Sequence, residues 1–163
     1  MIPSETPTLS LDEQICFALY SASRSITSRY RELLDPLGLT YPQYLVFVVL
    51  WHEGALSVSQ LGERLALDSG TLSPLLRRLE KSGLIARERG TADERVVMVS
   101  LTPSGSDLRA EAAGIPAAIC ASTGLQLPEL QALTQQLASL TDHVRSTPPR
   151  STPARSTSLR SAP

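Results

Sequence analysis

The stretch SVSQLGERLALDSGTLSPLLRRLEKSGLIAR, residues 57–87, holds two short helical periods joined by one tight polar connection around Asp68–Gly70. In the second period Leu72, Leu75, Leu76 and Leu79 fall at i, i+3, i+4 and i+7, a single apolar stripe on one face of a helix. Thr71, Ser73, Arg77 and Arg78 are left on the outside. Pro74 costs least if this helix begins near Thr71, because first-turn N–H groups have no intrahelical partner to lose. Directly afterwards, LIARERG and RVVMVSL are two β-rich runs joined by the polar GTADE, a hairpin pattern and the one strand signal in the chain.

Helix, tight turn, helix and hairpin in this order form the pattern of a winged helix-turn-helix: mainly α, with a small β-hairpin wing. Small hydroxyls such as Thr71 and Ser73 near the start of the second helix can approach base edges. Arg77 and Arg78 can reach phosphates or guanines. The hairpin adds Arg87, Arg89 and Arg95, with Asp93 in its turn, as further candidates for a DNA interface. The net charge of −1 does not announce a nucleic-acid binder. Four arginines and no acid lie from Arg145 onward, so residues 1–144 carry 11 basic against 16 acidic groups, and any basic footprint is local. The plain alternative is a solvated helical face, since helix-turn-helix arrangements also occur in proteins that bind no DNA.

Outward from this unit the periodicity stays helical. Leu11, Ile15, Leu19, Ala22, Ile26, Tyr30, Leu33 and Leu37 mark a long amphipathic helix over about 12–35, ended by Pro36 and Gly38. YPQYLVFVVLW, residues 41–51, reads as a second, mostly buried helix that HEGAL breaks. TPSGSDLRAEAAGIPAAICAS and LPELQALTQQLASLTDHV read as two closing helices. So much amphipathic surface at both ends exceeds what a winged-helix core must cover, and it predicts a homodimer built by terminal helices. The expected organisation is a flexible start (1–10) and a folded domain (11–144). Within that domain the DNA-binding lobe covers about 55–102 and the dimerisation helices about 11–35 and 103–144. The tail RSTPPRSTPARSTSLRSAP, 145–163, is too polar to offset its ordering entropy and is expected to be disordered.

The start of the chain lacks the pattern of a signal peptide and no long apolar run exists, so no membrane association and a cytoplasmic setting are expected. There, two cysteines separated by 103 residues do not make a stable structural framework; any pairing would be transient and redox-sensing. His52 and His143 stand at no metal-ligand spacing, and neither a metal nor a cofactor is expected. QICFALYSASR, residues 14–24, places Cys16 one helical turn before Tyr20. Taken alone, Cys16 reads as a small core residue.

LTYPQYLVFVVLW, the 57–87 stretch and DERVVMVSLTPSG together resemble the MarR family of dimeric winged-helix regulators. The opening LDEQICFALYSASRSITSRYRELLDPLGLTYPQY resembles its organic-hydroperoxide-sensing, OhrR-type branch, and the likeness covers about residues 9–144. The arginine-rich tail departs from the family pattern. The resemblance implies a repressor that releases its operator, double-stranded DNA, when an organic hydroperoxide oxidises Cys16. It implies that Tyr30 and Tyr41 hydrogen-bond the thiolate, with Tyr20 a third tyrosine nearby. It also implies a two-cysteine subgroup in which Cys120 resolves the sulfenate by bridging between subunits, and in which cellular thiols reset the switch.

Helical geometry bears on that reading. Cys16 and Tyr20 lie about 40° apart, one turn along the helix, whereas Tyr30 is about 21 Å further along the axis. In a continuous helix Tyr30 cannot reach the Cys16 of its own chain. Two such helices crossing antiparallel in a dimer could bring them together. Two other functions stay open: a MarR-like repressor controlled by a small aromatic ligand, with Cys16 merely core, and a thiol peroxidase. The winged-helix elements fill the middle of the chain and leave no room for a catalytic domain, which argues for a regulator and against an enzyme.

Overall fold

The computed structural model describes residues 10–90 and 96–148. The first nine residues, most of the expected tail, and Asp93 and Arg95 of the expected DNA interface lie outside the described residues. The elements run α1 (Ile15–Leu34), α2 (Tyr41–Glu53), β1 (Leu56–Ser57), α3 (Val58–Leu65), α4 (Ser69–Lys81), β2 (Ile85–Arg89), β3 (Val97–Leu101), α5 (Pro103–Glu111), α6 (Ile115–Thr123) and α7 (Leu127–Ser146).

Helix α2 is the centre of the packing. It has apolar residues on nearly every side, and Tyr44, Val46, Phe47 and Leu50 are buried. It packs against α1, α3, α4, α5 and β3. From α4 the stripe Leu72, Leu75, Leu76 and Leu79 closes on this core, joined by Leu61, Ile85 and Val99. The predicted inward face is the observed one.

Each helix of the helix-turn-helix pair starts at a side-chain cap. Ser57 Oγ accepts from Gln60 N at 3.2 Å while Gln60 Oε1 accepts from Ser57 N at 2.9 Å, a capping box for α3. Ala66 then takes a left-handed conformation (φ 53) and turns the chain sharply out of α3. Asp68 caps α4, its Oδ1 accepting from Thr71 N at 2.8 Å. That cap starts α4 at Ser69, two residues before the position predicted from Pro74. Pro74 therefore lies inside the helix, past the first turn, where it removes one backbone hydrogen bond.

The sheet corrects a second expectation. It has three antiparallel strands in the order β1-β3-β2, not a hairpin alone. The extra strand is only Leu56–Ser57, registered against Val99 and Met98. Ile85 to Arg89 pair with Leu101 to Val97.

The corner between β2 and α5 is drawn tight. Thr102 Oγ1 donates to Gly83 O at 2.7 Å and accepts from Gly105 N at 3.1 Å, and Thr102 N donates to Leu84 O at 3.2 Å. The Trp51 indole donates to Gly105 O at 3.1 Å, adding α2 to the same knot. Gly105 is buried, and a Cβ there would stand 2.0 Å from Leu84 O.

Beyond α5 the expected single helix is two. A 3-10 turn at Ala112–Gly114 interrupts it, and α6 restarts with Pro116 in its first turn, where a missing N–H costs nothing. Helix α6 packs on α1, burying Ile115 and Ile119. At the other end, Ser10 caps a 3-10 turn over Leu11–Glu13, so α1 begins three residues after the predicted 12.

Helix α7 is a unit of its own, from Gln126 capped by Glu129 to Ser146. It runs two residues into the stretch assigned to the tail, because the Ser146 and Thr147 hydroxyls both donate to His143 O and close its last turn. Its Leu133, Leu137, Leu140 and Val144 are exposed in the single chain, as are Leu11, Ile15, Leu19 and Ile26 around α1. No single helix among the described residues is long and apolar enough to cross a membrane.

Candidate DNA interface and thiol site

On α4 the outward side chains stand where the sequence places them. Thr71, Arg77 and Arg78 are exposed and Ser73 is half-buried. The Thr71 hydroxyl donates to Asp68 Oδ2 at 3.2 Å, which leaves its lone pairs free to accept, as from the amino group of an adenine or a cytosine. The same contacts, with Thr71 N first, hold the Asp68 carboxyl below the usual carboxylate range. The cap therefore persists through neutral pH and weakens only when acid falls to that lowered pKa. On β2 Arg89 is exposed, whereas Arg87 is half-buried with its guanidinium 3.5 Å from Glu80 of α4.

Of the residues expected at a thiol site, Tyr30 and Tyr41 stand together, and Tyr44 packs beside them. The Tyr30 and Tyr41 rings are 4.5 Å apart between centroids, and Tyr30 and Tyr44 are 5.8 Å apart. The cluster runs on through Tyr44 to Trp51 at 6.2 Å. Tyr44 went unnoticed in the sequence, although its spacing of three from Tyr41 on one helix was the available signal. Burial, then the neighbouring Tyr41 and Tyr44, push the Tyr30 phenol up to about 12, and burial raises Tyr41 and Tyr44 as well. At neutral pH all three are protonated and can donate.

A titration follows from this. The unfolded tyrosine value is 10.0 and the folded Tyr30 value is higher, so the stability the protonated cluster contributes is complete below pH 10 and is lost as pH rises toward about 12. Phenolate absorbance should therefore rise late in the folded protein, and Tyr30→Phe should remove its last-ionising component. An absorbance curve that loses only an early component in that variant would contradict the assignment.

Cys16 and Tyr20 are not part of this cluster. Both are exposed on α1, and the Tyr20 hydroxyl accepts from Arg24 Nη1 at 2.7 Å, with the guanidinium 5.5 Å from the ring centroid. Helix α1 is continuous from Ile15 to Leu34, so the separation of about 21 Å between Cys16 and Tyr30 stands within one chain. Cys120 is half-buried on α6, and both thiols are free. Elsewhere a groove of about 480 Å³ opens between α2 and the α5–α6 corner, lined by Tyr44, Val48, Trp51, His52, Arg109 and Pro116. Glu53 at its rim is neutralised by Arg64, whose Nε donates to Glu53 Oε1 at 2.7 Å. No group of three or more His, Cys, Asp or Glu among the described residues could hold a metal.

Residues 28–111 match the family model described as transcriptional regulator SarA/Rot. The organic hydroperoxide resistance transcriptional regulator of Bacillus subtilis (strain 168) is 44% identical, over 82% of this chain and 91% of its own. This chain belongs to the SarA/Rot and MarR-type winged-helix regulators. The HTH-type transcriptional regulator TtmR of Methylorubrum extorquens (strain PA1) is 48% identical, over 84% of this chain and 70% of its own. Reduced AbfR bound to DNA is 35% identical with a TM-score of 0.70, covering 83% of this chain and 94% of that one. The disulfide form of AbfR is also similar, at 33% identity and a TM-score of 0.59, covering 84% and 93%. BpsR of Bordetella bronchiseptica, whose DNA binding is regulated by 6-hydroxynicotinic acid, is 29% identical with a TM-score of 0.72, covering 79% and 99%. The chain is thus a DNA-binding transcriptional regulator, and its relatives are regulators, not enzymes.

Proposed function

We propose that this MarR-type regulator acts as a dimeric cytoplasmic repressor that senses organic hydroperoxides through Cys16 and then releases its operator. The observation that carries the reading is the division of α1: an exposed thiol near its first turn, and a packed pair of protonated phenols, Tyr30 and Tyr41, near its last. An antiparallel partner helix completes the site, bringing one chain's Tyr30 and Tyr41 to the other chain's Cys16. The hydroperoxide resistance regulator among the relatives supports the class of oxidant, and the disulfide form of AbfR supports cysteine pairing.

The chemistry runs in two steps. The Cys16 thiolate attacks one oxygen of the hydroperoxide, the O–O bond breaks, and the alkoxide leaves as an alcohol with a proton taken up. The phenol donors stabilise the thiolate before the step and the alkoxide during it. The Cys120 thiol of the partner then attacks the sulfenic sulfur, forming a disulfide and releasing water; small thiols reverse the product. A bridge needs Cα atoms within about 7 Å, so a reduced dimer that holds Cys16 and the opposing Cys120 further apart than this must draw α6 and the helices packed on it toward the partner.

Operator gel shifts with and without an organic hydroperoxide test this on wild type, Cys16→Ser and Cys120→Ser. Oxidant should release wild type and leave Cys16→Ser bound, and a non-reducing gel should show a covalent dimer that neither single variant forms. Release of Cys16→Ser equal to wild type would sink the proposal.

The groove beside Trp51 favours a second reading, control by a small aromatic acid. Its aromatic floor and its Arg109 and His52 suit such an anion, and BpsR offers a precedent. Release of Cys16→Ser by an aromatic acid at neutral pH, without oxidant, would favour it.

A further inference from the structure

The Arg87 guanidinium does not stand out from the wing as a phosphate contact would. Arg87 lies mid-strand in β2, opposite Val99 of β3, and its side chain is 23% exposed. It leans on Glu80 in the last turn of α4, Nη1 to Oε2 at 3.5 Å, and its Nε is buried without a hydrogen-bond partner. A buried N–H with no acceptor carries a desolvation cost, so the inward placement of Arg87 is one that its contact with Glu80 must help offset. Glu80 belongs to the same helix as Arg77 and Arg78. It is an acid on the element that approaches a polyanion, which costs affinity unless it holds something in place.

We infer that Glu80 and Arg87 form a strut between the wing and the recognition helix, positioning α4 for DNA rather than contacting DNA themselves. The strut crosses the Gly83 turn, where the chain reverses from α4 into β2, and it fixes the angle between the two elements. The inference rests on α4 being the helix that meets DNA.

The sign of one substitution decides between positioning and contact. Glu80→Gln removes a negative charge near phosphates, so electrostatics alone predicts tighter operator binding. A strut predicts weaker binding, by about fivefold, the size of a partly screened ion pair. Arg87→Gln should weaken binding by a similar factor while the dependence of log K on log salt keeps its wild-type slope, because no phosphate contact is lost. The double variant should bind no worse than either single one, since both remove the same interaction. All three should remain folded at the temperature of the binding assay, with Tm lowered by no more than the loss of one partly screened ion pair.

Glu80→Gln binding as tightly as wild type or tighter would overturn the inference, and so would a loss of about one unit of salt slope in Arg87→Gln. Arg77→Ala and Arg78→Ala, measured alongside, report on the underlying reading. If both bind like wild type, α4 is not the DNA-contacting helix and the strut falls with it. If they weaken binding while Glu80→Gln does not, only the strut falls.

Discussion

Gly105→Ala is expected to destabilise the protein by about 3 kcal/mol, in the upper range for overpacking. A Cβ at this position would meet Leu84 O at 2.0 Å and the Leu84 carbonyl carbon at 3.1 Å. Neither is the end of a side chain that could swing aside. Relief requires the first turn of α5 to back away from β2, and that first turn is held by Thr102 on one side and the Trp51 indole on the other. Against a typical total of about 5–15 kcal/mol, such a loss is large. Chemical denaturation should show a lowered midpoint with an unchanged slope. Gly114→Ala is the control: its backbone is helical (φ −80) and nothing lies within 4 Å of the added methyl. That substitution should be neutral or stabilising by up to about 1 kcal/mol. Equal midpoints for the two variants would show that the β2–α5 corner yields easily.

The second large effect is on DNA. Arg77 and Arg78 are exposed in the latter half of α4, carry no ion pair among the described residues, and are followed by Lys81. Replacing both by alanine should lower operator affinity by about 2–4 kcal/mol, a factor of roughly 30 to 1,000. Measuring the single variants on operator and on unrelated DNA assigns the roles. A base-reading arginine loses affinity for operator only. A phosphate-binding one loses it on both and lowers the salt slope by about one. If the double variant binds operator with wild-type affinity, α4 does not enter the groove.

What could be read from the sequence follows the range of the forces involved. The leucines of α4 were legible because a helix repeats every 3.6 residues, and a stripe that must face a core declares itself locally. The caps at Ser57 and Asp68 act within three residues and leave local marks, though the Pro74 argument misplaced the start of α4 by weighing the proline above the Asp68 cap. Strand β1 was invisible, since two residues acquire strand character only by pairing with Val99 and Met98, more than forty positions away. The break between α5 and α6 did leave a local mark, Gly114 followed two residues on by Pro116, which the apolar periodicity on either side outweighed. Tyr30 and Tyr41 were reached through resemblance. Tyr44 stands one turn from Tyr41 on α2, a local mark, but its meeting with Tyr30 is set by the packing of α2 on α1, a tertiary fact. The turn of Arg87 toward Glu80 is of the same kind.

The length of α1 has a consequence that belongs to genetics. With Cys16 and Tyr30 fourteen residues apart on one continuous helix, the proposed site takes its parts from two chains. A chain with Cys16→Ser still offers its Tyr30, and a chain with Tyr30→Phe still offers its Cys16. Each homodimer is deaf to the oxidant or dulled, but in the mixed dimer one of the two sites is whole. Two defective alleles expressed together should therefore regain part of the response that each lacks alone, whereas one allele carrying both changes, paired with itself, should regain none.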